Sequence, residues 1–164
     1  MILFNNGRLD MTNSTDEMKD FLYQHIPLAS AMQVNIDSYD GLHLVLSAPL
    51  ACNSNDKGSA FAGSISSLAT MSGWIALMLW TKDHYEGEFL VAVAHADIHY
   101  KKPILTDFTA RATLPHGDAL AQLHKTLLHK GRGRAQLHIE VCDEHGVAVT
   151  QVAEYAVWRV KELD

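Results

Sequence analysis

The stretch NSNDKGSAFAG (residues 53–63), followed without a break by SISSLATMSGWIALMLW (residues 64–80), decides the fold. The first part is rich in Asn, Asp and Gly, residues that form turns and cap helices. From Lys57 to Lys82 no ionisable side chain intervenes, which is enough chain for five or six helical turns. A helix that is uncharged on every side is buried, either in a membrane or inside a protein.

Small residues decide between these two environments. Six Ser and Thr side chains interrupt the apolar run, and Gly63 and Gly73 leave gaps along it. A membrane span needs about 20 predominantly apolar residues, whereas small residues suit a helix that a sheet approaches closely. The sequence therefore predicts a soluble core helix with a polar loop at its N-terminus. Helix N-termini bind anions and oxyanions.

Length and composition indicate one globular domain over residues 1–164, with residues 1–13 as a loose lead-in. The formal net charge of −6 gives no basic footprint for a nucleic-acid partner. Cys52 and Cys142 are too few for a disulfide framework and indicate a reducing compartment. The apolar run at the N-terminus is too short for a signal peptide. We therefore expect a cytoplasmic protein.

The rest of the chain reads as one further helix, six strands and a small helical insertion. A capping pattern at residues 14–17 opens a helix that Pro27 stops. Apolar and polar residues alternate around residues 33–47, 88–100, 107–114, 134–141 and 147–160, and a helix near residues 117–130 precedes the last two strands. Strands without crossover helices favour an antiparallel sheet beside one dominant helix, an α+β fold. The uncharged helix predicts that this sheet curls around it and that a second copy helps to cover it.

This arrangement resembles the hotdog fold, in which a curved antiparallel sheet wraps a central helix and two copies form one continuous sheet. Asn55-x-x-Gly58-x-x-Phe61-Ala62-Gly63 resembles the N-x-x-G-x-x-H-G-G motif of phenylacetyl-CoA-type acyl-CoA thioesterases. Tyr100-Lys-Lys-Pro103 is similar to a strand ending of many hotdog proteins. The Asn-rich loop, Gly73-Trp74 and Gly131-Arg-Gly-Arg134 together resemble the YiiD C-terminal domain family of thioesterases over about residues 18–160.

Two departures bear on the mechanism that the resemblance implies. The His-Gly-Gly of the motif is Phe61-Ala62-Gly63 here, and the helix position of the usual catalytic carboxylate falls on Thr70. Thioester hydrolysis needs a water nucleophile, a base and donors to the carbonyl oxygen. Asp56 is the one carboxylate in residues 53–80, so it is the predicted base.

Further residues complete the predicted site. Asn55 positions water or the carbonyl, the Gly63 N–H serves as an oxyanion donor, and Ser66, Ser67 and Thr70 line the pocket from the helix. Asn53 and Phe61 are predicted to bind the substrate. The alternative is that Asn55, Asp56 and Gly58 only make a turn and cap the helix. A serine nucleophile is disfavoured because no His lies near Ser66 or Ser67 in sequence.

Four basic residues are candidates for the phosphates of coenzyme A or of a phosphopantetheine arm: Lys101, Lys102, Arg132 and Arg134. Arg binds phosphate through two hydrogen bonds and Lys supplies a point charge. The alternative is that they are solvated strand ends. His95-x-Asp97-x-His99 puts three potential metal ligands on one strand face. No thiolate or further carboxylate joins them, so we predict no metal.

The predicted function is hydrolysis of an acyl thioester on coenzyme A or acyl carrier protein by a homodimer, with a tetramer left open. The carrier is part of the substrate, and no separate cofactor, nucleic acid or membrane is expected. A non-catalytic acyl-thioester-binding or dimerisation module is the alternative, because the helix carboxylate is absent. A hotdog dehydratase or hydratase would pair a His with a carboxylate near the helix, and no such pair stands out.

Overall fold

The structure, a computed structural model, describes residues 11–160, with side chains from Asp16 onward. The described residues form four helices, one short 3₁₀ turn and six strands. In chain order they are α1 (Met11–His25), α2 (Pro27–Ala31), β1 (Asn35–Tyr39), β2 (His43–Ala48), the 3₁₀ turn (Leu50–Cys52), α3 (Ala62–His84), β3 (Phe89–Tyr100), β4 (Phe108–Thr113), α4 (Gly117–Lys130), β5 (Arg132–Asp143) and β6 (Gly146–Arg159).

All six strands form one antiparallel sheet in the order β1-β2-β4-β5-β6-β3. Helix α3 packs against β2, β3, β4, β5 and β6, so the sheet lies along most of its length. The core consists of the inward side chains of the sheet together with α3 residues such as Leu68, Ile75 and Leu77. The predicted α+β class, the six strands and the long central helix are therefore confirmed.

By length and composition alone, α3 could cross a bilayer. Of its most apolar 18-residue window, 56% is buried inside the protein, because the sheet packs around it. This is the environment that the sequence predicted for an uncharged helix containing many small residues.

Gly73 shows why small residues are needed on this helix. The Tyr155 side chain of β6 lies against Gly73, and a Cβ at that position would lie 2.3 Å from the Tyr155 hydroxyl oxygen. The same hydroxyl donates a 2.9 Å hydrogen bond to the Thr70 carbonyl. Gly73 therefore sets how closely helix and sheet approach, since any side chain there would push Tyr155 away.

Strand β3 differs from the predicted alternation. A bulge between Val93 and His95 shifts its register against β6. Before the bulge Val91 is buried and Leu90 is exposed, whereas the unbroken alternation predicted for residues 88–100 would place Leu90 on the same face as Ile98. After the bulge Ile98 pairs with Gln151, which faces α3. The prediction of one continuous face was wrong because a one-residue insertion reverses the alternation.

The N-terminal helices also differ from the sequence pattern. Helix α1 begins at Met11, three residues before the predicted cap, so the proposed lead-in overlaps it; residues 1–10 lie outside the described chain. Pro27 ends α1 as predicted, but it also occupies the first turn of α2. Proline fits this position because its fixed φ suits the first helical turn and no partner N–H is required there.

Candidate active site

The loop before α3 is held together by Asn55. Its amide Nδ2 donates to Ser59 Oγ at 2.9 Å, and its Oδ1 accepts from the Lys57 N–H at 2.9 Å and the Ser59 N–H at 3.3 Å. The Gly58 N–H donates to the Asn55 carbonyl, with Gly58 at φ +76°. These contacts occupy both ends of the amide, so in this structure Asn55 shapes the turn.

Asn53 lies beneath this loop and is 2% exposed. Its Nδ2 donates to the carbonyls of Met32 at 2.9 Å and Pro49 at 2.8 Å, which ties the loop to the segments that follow α2 and β2. Its buried Oδ1 has no protein partner among the described residues. Asn53 therefore acts on the fold of the loop and is not positioned at a pocket surface.

Asp56 lies at the solvent-exposed tip of the loop. Its side chain is 80% exposed and forms an ion pair with the equally exposed Lys57 at 3.2 Å. Such a pair contributes little because water screens both charges. The structure does not bring Asp56 together with Ser67 or Thr70 in one pocket.

At the start of α3, Phe61 and Gly63 form a contact of their own. Phe61 is 54% exposed, and its ring covers the position where a Gly63 side chain would begin. The Tyr100 hydroxyl at the end of β3 donates to the Ala62 carbonyl at 3.1 Å. The N-terminus of α3 and the end of β3 therefore lie together.

The first half of α3 borders a pocket of about 260 Å³. Its wall consists of apolar side chains from the α1–α2 segment and of mostly hydroxyl side chains from α3: Ile26, Leu28, Ser66, Ser67, Thr70 and Met71. No ionisable side chain is among these lining residues. The structure thus brings together the three hydroxyl residues that sequence reasoning had placed in the pocket.

Two side chains of β6 contact the turn of α3 that contains Thr70 from the side of the sheet. Gln151, 2% exposed, donates from Nε2 to Thr70 Oγ1 at 3.5 Å, and Tyr155 donates to the Thr70 carbonyl. Burial raises the pKa of the Tyr155 hydroxyl, which therefore stays a neutral donor. Sequence reasoning missed Gln151. The signal was present, since an amide interrupts the inward apolar stripe of Val149, Ala153, Tyr155 and Val157.

The four basic candidates lie at two ends of the sheet. Lys101 and Lys102 adjoin Ala148 at the start of β6, while Arg134 pairs with Ala156 near its end. Positions 148 and 156 of a strand are about 26 Å apart at roughly 3.3 Å per residue. The lysines lie beside the N-terminus of α3, and the arginines lie toward its other end.

Two of these side chains, Lys102 and Arg134, have polar partners within the protein. Lys102 Nζ contacts the Asp143 carboxylate at 3.4 Å and donates to the His145 carbonyl at 2.9 Å. Arg134 pairs with Glu154 and borders a separate groove of about 330 Å³ with Gln136 and His138. For the Lys101 ammonium, the described residues provide no side-chain partner.

His95, Asp97 and His99 lie on the sheet face directed away from α3, opposite the face that carries Ile98. All three are exposed. Within residues 11–160, no group of three His, Cys, Asp or Glu side chains is arranged to hold a metal ion.

The chain matches the family described as "Putative thioesterase (yiiD_Cterm)" over residues 15–159. It therefore belongs to the YiiD C-terminal family.

Solved structures share its fold. A protein of unknown function from Chlorobaculum tepidum is 27% identical, with a TM-score of 0.84 over 92% of this chain and 97% of that one. A putative thioesterase from Shewanella oneidensis is 23% identical, with a TM-score of 0.78 over 92% and 100%. The PaaI protein of the Escherichia coli phenylacetic acid degradation operon is 16% identical, with a TM-score of 0.64 over 93% and 97%. The fold is thus that of the hotdog thioesterases.

Proposed function

We propose that this protein hydrolyses acyl thioesters of coenzyme A or acyl carrier protein in the pocket beside α3. One observation carries the proposal: in a chain of a thioesterase family, the central helix presents Ser66, Ser67 and Thr70 to a pocket with an apolar wall. The apolar wall suits an acyl chain, and the hydroxyls suit a thioester carbonyl.

The proposed reaction uses water as the nucleophile. Water adds to the thioester carbonyl carbon, the C–S bond breaks, and the products are a carboxylic acid and a free thiol. Hydroxyl donors and the first N–H groups of α3, Gly63 among them, would stabilise the negative charge that develops on the carbonyl oxygen. Neither a metal nor a separate cofactor takes part in this scheme.

Lys101 is the strongest candidate for contact with the phosphates of the carrier. It follows Tyr100, whose hydroxyl bonds to the first residue of α3, so Lys101 lies near the N-terminal end of that helix. Reversal to Glu should raise KM for acyl-CoA with little change in kcat, the pattern for lost uniform binding. Arg134→Glu is the matched control, because Arg134 lies toward the far end of the sheet, and it should leave KM unchanged.

We propose a homodimer that assembles through β3. This strand is the twelve-residue edge of the sheet, and its side chains Val93 and Tyr100 are 45% and 44% exposed. Long exposed edges pair readily with another strand. Sedimentation equilibrium should give the mass of a dimer at micromolar concentration, and a monomer there would overturn this assembly.

The two unpaired cysteines fit a reducing cytoplasm, which we propose as the location.

The test of the proposed function is thiol release from a panel of acyl-CoA and acyl-carrier-protein thioesters of increasing chain length. Saturable release that depends on the enzyme concentration is expected for at least one of them. The competing proposal is a non-catalytic acyl-thioester-binding module, which the lack of any ionisable side chain in the pocket lining favours. Saturable binding of the same thioesters, without release from any, would establish that alternative and overturn the hydrolase.

A further inference from the structure

We infer that Gln151 is a positioning residue that turns the Thr70 hydroxyl toward the pocket, where Thr70 donates a hydrogen bond to the thioester carbonyl oxygen. This inference rests on the hydrolase proposed above. It proposes no base in place of the helix carboxylate that this chain lacks. Instead, it gives the residue at that position the role of an oxyanion donor.

The first argument is the burial of Gln151. Its amide is 2% exposed between the sheet and α3, in an inward stripe whose neighbours Val149 and Ala153 are apolar. A buried amide stabilises a fold poorly compared with an apolar side chain of the same size, because it must keep its hydrogen bonds. The contact that this amide makes to α3 is the one to Thr70 Oγ1. Packing alone does not account for an amide here.

The second argument is the direction of the Thr70 hydroxyl. Three other hydroxyls of α3 donate back to the preceding turn: Ser66 to Gly63, Ser72 to Ala69 and Thr81 to Met78. Among the described residues, Thr70 has no such bond. Its oxygen accepts from Gln151 Nε2, which leaves the hydroxyl proton available to an acceptor in the pocket.

The third argument is rigidity. Tyr155 holds the Thr70 carbonyl at 2.9 Å and packs on Gly73, so both the backbone and the side chain of this turn are fixed from β6. A donor that is already oriented needs no reorganisation when charge develops on the carbonyl oxygen. The Thr70 proton stays on Thr70 throughout, and water supplies the proton that balances the departing thiolate.

The experiment compares substitutions at the two positions in the wild-type background of the full chain. Thr70→Val removes the donor while keeping the shape, so kcat should fall by about 10²–10³-fold with a much smaller change in KM. Thr70→Ser restores a hydroxyl and should recover most of that loss. Gln151→Met keeps the length but not the amide, and kcat should fall by up to about 10²-fold through misplacement of the donor.

Ser72→Ala is the matched control: its hydroxyl lies on the same helix, is fully buried and bonds to Ala69. It should leave kcat unchanged. Combining Thr70→Val with Gln151→Met should cost little more than Thr70→Val alone, because Gln151 acts through Thr70. If Gln151→Met does not fold, Gln151→Asn replaces it, since the shorter amide cannot reach Thr70 and should give the same loss.

Three results would overturn the inference. The first is a kcat for the Gln151 variants equal to that of Ser72→Ala, and the second is full additivity of the two substitutions. Each of these leaves the hydrolase itself intact. The third is a wild-type protein that hydrolyses no thioester. That result removes the proposed function and this inference together, and it is recognised before any variant is made.

Discussion

The two ends of α3 are built in opposite ways. At its C-terminal end, Trp80 is buried against His84 and against His124 of α4, at ring separations of 4.9 and 4.8 Å. Tyr85 and His124 share a 2.6 Å hydrogen bond there. At the other end, small hydroxyl residues face a pocket of about 260 Å³.

The comparison shows how one helix can serve both stability and binding. Large rings fill the space at the C-terminal end and fix α4 and the sheet, so this end anchors the helix. Small residues at the N-terminal end leave space that a ligand can occupy, at the cost of the apolar contacts they do not make. The end that contributes less to stability is therefore the end where a site can exist.

The largest effect is expected from a substitution at the C-terminal end of α3, the filled end, where large rings pack together. Trp80→Ala removes a buried ring that contacts His84, Tyr85 and His124, so the free energy of unfolding should fall by about 3–5 kcal/mol. Urea unfolding measures the change. Ser67→Ala at the open end is the matched variant and should stay within about 0.5 kcal/mol of wild type. Equal losses at both ends would contradict the comparison.

The next largest effect on stability is expected from a substitution in the middle of α3. Gly73→Ala forces a Cβ against the Tyr155 ring, so the free energy of unfolding should fall by about 1–3 kcal/mol. Gly63→Ala is the control, because the atoms nearest to its Cβ belong to the half-exposed ring of Phe61, which can swing away. The Gly73 penalty should shrink in a Tyr155→Leu background. A penalty that persists there would mean that Tyr155 is not its cause.

A smaller effect concerns pH at the filled end. Burial, and then the nearby His84, lowers the pKa of His124, so the fold favours the neutral imidazole. The neutral His124 imidazole therefore contributes stability at pH values above 6.5, which is the pKa of the unfolded state. This contribution is lost as the pH falls through the lower pKa of the folded state. The melting temperature should therefore drop on acidification below about pH 6.5, and the drop should be shallower in His124→Gln. Gln122→Ala, on the surface of the same helix, should keep the wild-type slope.

The smallest effect is expected at the loop that precedes the open end. Asp56 is exposed at its tip, so Asp56→Asn should leave the free energy of unfolding within about 0.5 kcal/mol and kcat within about twofold. Thiol release under saturating substrate measures kcat. A fall of roughly 10²-fold or more would restore Asp56 as the general base and would move the reacting centre toward the loop.

Much of this architecture could be predicted from local patterns. The uncharged run before Lys82 predicted the helix, and the turn residues at positions 53–58 predicted the loop before it. The alternating segments predicted the six-stranded α+β sheet. The bulge in β3 could not be predicted, since an inserted residue leaves alternation equally regular on either side of it. Helix α2 was missed because Pro27 is as typical of a helix start as of a helix end.

The site divides in the same way. The sequence by itself determined that Ser66, Ser67 and Thr70 share one helix without an acid beside them, because helical spacing is local. Only the tertiary structure decided which residues meet that helix. Gln151 lies 81 positions after Thr70 and contacts it because β6 packs against α3. Asp56, only 14 positions before Thr70, points into solvent. Sequence distance does not encode this difference, since strand pairing and packing set it.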